Sequence, residues 1–375
     1  MKRRNTLIVI VVVWVMWLCL EFCYGTTTFL ESGTDATQDF TFWDGTSAGT
    51  WTSDNTVAFT GPRSMKASTG SPAVTASKIK LACLADTGRR ISFQFRFDTL
   101  PSSQSNVLRV LNAASGALGS IRLNTTGTLN WNQTANVTGT TILKVNQWYR
   151  ISLAYTITSA TVYTYNIFLN GKLEITQTNA GSITTGTSQL SPTISSAAGV
   201  NVNFWYDDWY VDDGITLDDP GNIIITNKRP NANGAANNYT TQIGSGGSGY
   251  GTGHSPQVNE QPLSTTNGWS IASASAVTEE YTIEGASTGD VDVSSRDKSL
   301  VDYMGWVYTK TGTADTRNII VNGVSSNISV TTSYAMYTKA AGSTSYPSGN
   351  TAIGMNNNSL VALDSLAECG ILLAY

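Results

Sequence analysis

The sequence predicts an all-β chain of two β-sandwich domains in series. Three observations carry that expectation. Only 13% of the 375 residues are charged, against about 25% in typical soluble domains, and Thr, Ser, Asn and Gly fill the difference. Such residues suit sheet surfaces and turns and fit helices poorly. No long segment carries an apolar stripe of period 3.6, whereas several segments alternate strictly with period 2. Two Asn-Gly pairs, at 170–171 and 322–323, lie between apolar runs, where a type I′ hairpin turn needs positive φ at both central residues.

Taken in chain order, the first element stands apart from the fold. Residues 1–25 open with Lys2, Arg3 and Arg4, continue in the apolar run 7–20 and end with Cys23 and Gly25. The run falls short of the roughly 20 residues a membrane-spanning helix needs. The segment reads as a cleaved secretory signal, so the mature chain is expected to be secreted or at the cell surface, free of the membrane. The formal net charge is −4 and becomes more negative without that basic start, which argues against nucleic acid or anionic membranes as partners. Beyond residue 25 only Cys83 and Cys369 remain. They fall in different halves and read as two separate buried thiols.

The strand at 90–100, RISFQFRFDTL, puts Ile91, Phe93, Phe95 and Phe97 on one face and Ser92, Gln94, Arg96 and Asp98 on the other. That pattern marks one buried and one solvated face. WYRISLAYTI repeats it through Tyr149, Ile151, Leu153, Tyr155 and Ile157. In TYNIFLNGKLEIT, Tyr165, Ile167 and Leu169 lead into the Asn170-Gly171 turn. A similar unit returns at 318–323, NIIVNG, again downstream of a Trp-bearing strand, GWVYTK. Each half then closes on an apolar strand with acidic residues, WYDDWYVDD and LAECGILLAY, and together these parallels suggest two related sandwiches. Between them DDGITLDDPGN carries two acidic pairs and a Pro-Gly turn signal. The expected domains are therefore 26–213 and 222–375, joined by a linker at 214–221, with a Gly-rich loop at 244–256 inside the second.

Five segments of the first half, TGPRSMKAS (60–68), ISFQFRFD, WYRISLAYT, IFLNGKLE and YDDWYVDD, follow one another in an order that resembles laminin-G-like domains, the concanavalin-A-like jelly rolls. The resemblance covers roughly residues 30–213 and rests on the order of individually loose motifs. It implies a double-sheet sandwich that binds glycans or proteins, in a wider fold some of whose members cleave polysaccharides. The second half, through EEYTIEGASTGDVDVSS, DYMGWVYTK, IIVNGVSSNIS and ECGILLAY, is similar to β-sandwich segments of secreted, surface or virion-associated proteins.

Candidate chemistry concentrates in VNFWYDDWYVDDG, residues 202–214. On a regular strand Trp205, Asp207 and Trp209 share a face. Sugar rings stack their apolar faces on indoles while polar groups orient their hydroxyls, so these three residues, with Trp131 in LNWNQ, form the candidate carbohydrate site. Asp208, Asp212 and Asp213 are the candidate metal ligands, with Asp218 and Asp219 close behind. Calcium is the ion such hard oxygens suit, although Asp also favours turns without any metal. No cofactor is required.

Glycoside cleavage needs two carboxyl groups about 5–5.5 Å or 6.5–9.5 Å apart. On a regular strand adjacent Asp207 and Asp208 point to opposite faces, and Asp208 and Asp212 lie about 13 Å apart. The Glu-x-Asp-x-x-Glu run of sandwich-fold glucanases is also missing. Glu280 with Glu284, and Asp290 with Asp292, read as solvated sheet faces over apolar neighbours. His254, the one histidine, has no partners for a triad or a zinc site. The expected protein is thus not an enzyme but a secreted, non-catalytic carbohydrate-binding protein whose partner is a glycan or polysaccharide. Two alternatives stay open: a self-associating structural subunit of a cell-surface layer, fibre or virion, and a polysaccharide-cleaving enzyme of the same fold. Asn-x-Ser/Thr sites at Asn124, Asn132, Asn136, Asn238, Asn327 and Asn357 are expected at the surface.

Overall fold

The computed structural model describes residues 27–31, 43, 45–48, 50–60, 63–68, 76–79, 87–112, 117–133, 136–159, 162–180, 187–194 and 202–223 of the first half. In the second half it describes 225–228, 230–237, 241–243, 268–272, 277–283, 302–311, 315–321, 324–333, 335–340, 351–357 and 363–374. The signal-like segment, Cys83, the 244–256 loop with His254, and the Asp290–Asp292 pair lie outside the described residues. Every regular element among the described residues is a β-strand, as the composition and periodicity require.

The first half supplies β1 (Thr27–Glu31), β2 (Gly45–Ala48), β3 (Thr50–Asp54), β4 (Ser64–Ser68), β5 (Ala76–Ile79), β6 (Gly88–Phe97), β7 (Ser105–Asn112) and β8 (Ala117–Leu123). It continues with β9 (Thr128–Asn132), β10 (Asn136–Ile142), β11 (Tyr149–Ser159), β12 (Val162–Leu169), β13 (Lys172–Ala180), β14 (Thr187–Ile194) and β15 (Asn203–Asp212). They form two sheets, one ordered β13-β12-β11-β6-β15-β4-β3 with β1 also on β15, the other β10-β9-β8-β7-β14-β5-β2. This is a jelly-roll-like sandwich, and its core is the set of inward-facing positions that the alternation picks out. Ile91, Phe93, Phe95 and Phe97 of β6 are buried, as are Ile151 and Leu153 of β11 and Tyr165 and Ile167 of β12. The β12–β13 hairpin turns at Asn170 (φ 50°) and Gly171 (φ 84°), the conformation expected of Asn-Gly.

Two contacts lock sheet to sheet. Trp131 on β9 packs its ring on Tyr165 of β12 with centroids 4.4 Å apart, and the Tyr206 hydroxyl on β15 donates to the Val107 carbonyl on β7 at 2.9 Å. Trp131 fits only because β8 offers Gly119 beneath it. A Cβ there would come within 2.2 Å of the indole.

The second half contributes β16 (Ile225–Lys228), β17 (Pro230–Asn237), β18 (Thr241–Ile243), β19 (Gly268–Ala272), β20 (Val277–Ile283) and β21 (Asp302–Thr311). After these come β22 (Asp315–Val321), β23 (Val324–Val330), β24 (Ala335–Ala340), β25 (Thr351–Asn357) and β26 (Leu363–Ala374). One sheet runs β18-β19-β26-β21-β24 with β16 on β26, and the other runs β17-β20-β25-β22-β23. Among the described residues no strand is shared with the first two sheets. Tyr281, Val307, Ile353, Met355, Leu366 and Cys369 are fully buried, and the Thr309 hydroxyl of β21 lies 3.4 Å from the Met355 sulfur of β25. The repeated NIIVNG unit forms β22 and enters a second hairpin with β23, whose turn residues 322–323 lie outside the described set.

Gly119→Ala is expected to overpack the Trp131 pocket and lower unfolding stability by about 1–3 kcal/mol. Urea denaturation of the variant beside the parent chain checks this.

Candidate functional site

The stretch 202–214 does not keep the regular alternation that the sequence suggests. Along the β15–β6 ladder Asp207 pairs with Gln94 and Tyr210 with Ser92, so three steps on β15 match two on β6. The extra residue is a β-bulge, and Asp208 sits in it with φ 48°. The bulge flips the phase, so that Trp209 joins the core face instead of Trp205's. Its indole stacks on Phe93 at 4.3 Å and meets the edge of Trp43 at 5.3 Å. Trp205 stays on the outer face between Lys66 and Arg96, whose cationic groups lie 5.2 and 5.5 Å from its ring centroid. Its Nε1 donates to Asp54 at 2.9 Å. Partial burial would raise the Asp54 carboxyl, but donors from Thr56 and Trp205 and the Lys66 charge outweigh that and hold it below its usual range.

Trp131, Trp205 and Trp209 are 4%, 5% and 0% exposed. The expected sugar platform is therefore corrected: two of these indoles build the core, the third is covered by cations, and none offers a free ring face. Asp207 is buried with them. Its Oδ2 accepts from the Phe59 and Thr60 amides at 2.9 and 3.2 Å, and its Oδ1 accepts from the Asp208 amide at 2.9 Å. Burial pushes the Asp207 carboxyl well above the usual carboxylate range, the Asp208 charge adds to this, and the three amides oppose it.

The proposed calcium ligands also part company. Asp208 Oδ1 accepts from the Thr60 hydroxyl at 2.7 Å and the Ile225 amide at 3.1 Å. Asp212 takes the Arg90 guanidinium on both oxygens, at 2.9 and 2.7 Å, and accepts from the Gly214 amide. Asp213 is exposed. Among the described residues no three His, Cys, Asp or Glu side chains gather as a metal site.

These carboxylates close the outer face of the first sheet. Arg90, Ser92, Gln94, Arg150 and Ser152 alternate with core residues, yet all are buried. The stretch read as a linker lies over them. Asp219 takes Arg150 on both oxygens at 2.5 and 2.6 Å, Gly221 offers that guanidinium its carbonyl, and the Leu217 carbonyl accepts from Asn166. Burial alone would lower the Arg90 pKa, and the Asp212 partnership outweighs it and holds the group above its ordinary value.

The outer face of the second sheet is built differently. Its register sets two polar rows across the strands. One runs Asn106–Arg122–Asn130–Thr138 over β7 to β10, and the other runs Ser191–Arg109–Ser120–Asn132–Asn136 over β14 and β7 to β10. Arg122 is held by two neutral amides, donating to Asn106 Oδ1 at 3.0 Å and Gln104 Oε1 at 3.4 Å. Asn132 donates to Asn136, and Asn130 donates to the Thr138 hydroxyl at 3.1 Å. Asn130 is 1% exposed and its Oδ1 has no partner among the described residues. Asn136 and Thr138 are exposed, while Asn106, Arg109, Arg122 and Asn132 are half-buried. Sequence reasoning missed this face, although a signal was present: between Asp98 and Glu174 there is no acidic residue, and none of the strands of this sheet contains one.

No family model and no curated protein matches the chain. Several solved structures are similar to it. An endo-β-1,4-glucuronan lyase from the fungus Trichoderma reesei aligns with 14% identity and TM-score 0.42, over 52% of this chain and 100% of its own. A carbohydrate esterase of the Shiga toxin-encoding bacteriophage phi24B aligns with 15% identity and TM-score 0.38, over 50% and 98%. The cellulose-induced protein Cip1 aligns with 16% identity and TM-score 0.36, over 48% and 90%. Likeness at this level speaks to fold alone. The expectation that the chain is not an enzyme is withdrawn, and a lyase and an esterase are among the similar structures. The spacing used to exclude catalysis also assumed a regular strand, which the bulge at Asp208 breaks.

Removing one partner of the buried Arg90–Asp212 pair strands the other charge. Asp212→Ala is expected to cost about 3–5 kcal/mol of unfolding stability, and pairing Arg90→Met with Asp212→Leu to recover most of it. Guanidinium denaturation of the three chains measures both effects.

Proposed function

We propose that this chain is an exported carbohydrate-binding protein, and that its glycan surface is the outer face of the second sheet. One observation supports this above the others: two rows of amide, hydroxyl and guanidinium groups cross neighbouring strands on that face with no carboxylate among them. Amide and hydroxyl side chains both donate and accept, which matches the mixed donor and acceptor character of a sugar's hydroxyls. Strands about 4.7–4.9 Å apart repeat such groups at short, regular intervals. The face therefore suits an extended chain of sugars better than a single small ligand. Export is supported by the basic start and apolar run of residues 1–25.

A glycan array probed with the purified chain tests this. The chain should come from a host that does not N-glycosylate, because Asn132 and Asn136 each head an Asn-x-Thr site. Selective binding is expected, and Asn132→Ala combined with Asn136→Ala should weaken it about thirtyfold, as the loss of two hydrogen bonds near 1 kcal/mol each predicts. A blank array, or binding that the double variant leaves intact, rejects the reading. Mass spectrometry of the bound glycans after incubation shows in the same experiment whether the chain cleaves what it holds.

A further inference from the structure

On the first sheet's outer face, Arg90 and Arg150 are each matched by a bidentate Asp. On the second sheet's outer face, Arg109 and Arg122 have no carboxylate partner among the described residues. They sit in adjacent rows: Arg109 faces Ser120, two residues from Arg122 on the same strand, a diagonal of about 7–8 Å. The two cations sense one another, since burial first and the Arg109 charge second hold the Arg122 pKa below its ordinary value. The chain as a whole is acidic, at −4, so this local excess of positive charge runs against the balance of the molecule.

Resting on the reading that this face binds sugars, we infer that Arg109 and Arg122 bind the carboxylate groups of an acidic polysaccharide, a chain of uronic acid residues. Each guanidinium is a planar fork that accepts a carboxylate on two parallel N–H donors, a geometry an ammonium group lacks. Arg122 is already oriented by Asn106 and Gln104 without losing its charge, because both partners are neutral. The ligand would supply the missing anion. Asn132, Asn136 and Thr138, in the same two rows, would then face the hydroxyls of the flanking sugars.

The test uses the full chain and isothermal titration against three polymers: polygalacturonate, its fully methyl-esterified form, and polyglutamate. Esterification keeps the sugar and removes the charge, while polyglutamate keeps the charge and removes the sugar. Polygalacturonate is expected to bind at least tenfold more tightly than either, with affinity falling as salt is raised. Arg109→Gln and Arg122→Gln should each weaken polygalacturonate binding about tenfold and leave binding of the ester unchanged. Arg122→Lys should fail to restore binding, since it keeps the charge and loses the fork. Thermal unfolding of each variant, matched to the parent, shows that the fold is intact. Equal binding of acid and ester, unmoved by the arginine substitutions, overturns the uronate assignment and leaves the carbohydrate reading standing. Equal binding of polyglutamate overturns it as mere charge attraction. A chain that binds none of the three polymers overturns the assignment, and the glycan array then decides the carbohydrate reading separately.

Discussion

The extra residue in β15 is the constraint on which the rest of the first sandwich depends. Tyr206 and Trp209 are three residues apart, so on a regular strand they point to opposite faces. Both reach the core only because one residue is inserted between two ladder partners. Asp208 occupies that position at positive φ, a conformation that costs most side chains dearly and Asp less. From there its carboxylate reaches Thr60 on one side and the Ile225 amide on the other. The bulge that completes the aromatic core thus also ties the first sheet to the opening strand of the second half.

This is why the fold was legible in the sequence and the site was not. Strand β6, and β11 as far as Ile157, are regular, and their inward residues follow from counting by two; the Asn170-Gly171 turn follows from the φ values it needs. In β15 the same counting fails at one residue, and every side chain beyond it changes face. Trp205 and Trp209, assigned to one surface, end on opposite sides of the sheet. No local signal marks the insertion, because its cause is tertiary: the buried rings of Phe93 and Trp43 accept Trp209 from the far side of the strand's own sequence neighbourhood.

The aspartates misled for a related reason. Read in a line, Asp207, Asp208, Asp212, Asp213, Asp218 and Asp219 resemble a cation site at a strand end. In space, Asp212 and Asp219 are drawn to Arg90 and Arg150, which stand on the side of β6 and β11 opposite their apolar residues. A pattern of period 2 reports that a strand has two different faces. It does not report whether a segment more than fifty residues further on will cover the polar one.

The two outer faces then differ in how they treat charge, and that difference is informative. The first is closed, and each buried guanidinium has its carboxylate, as the cost of an unpaired buried charge demands. The second carries Arg109 and Arg122 among neutral cross-strand neighbours. Half-buried Asn106 opposite Arg122 is a cross-strand position at which an opposite charge would add roughly 0.2–1 kcal/mol, whereas at buried Ser120 and Asn130 desolvation would oppose that gain. A chain with 26 acidic residues places none there, nor anywhere between Asp98 and Glu174. The amides hold the Arg122 guanidinium without neutralising it, which is the arrangement that leaves the neutralising anion to come from outside the chain.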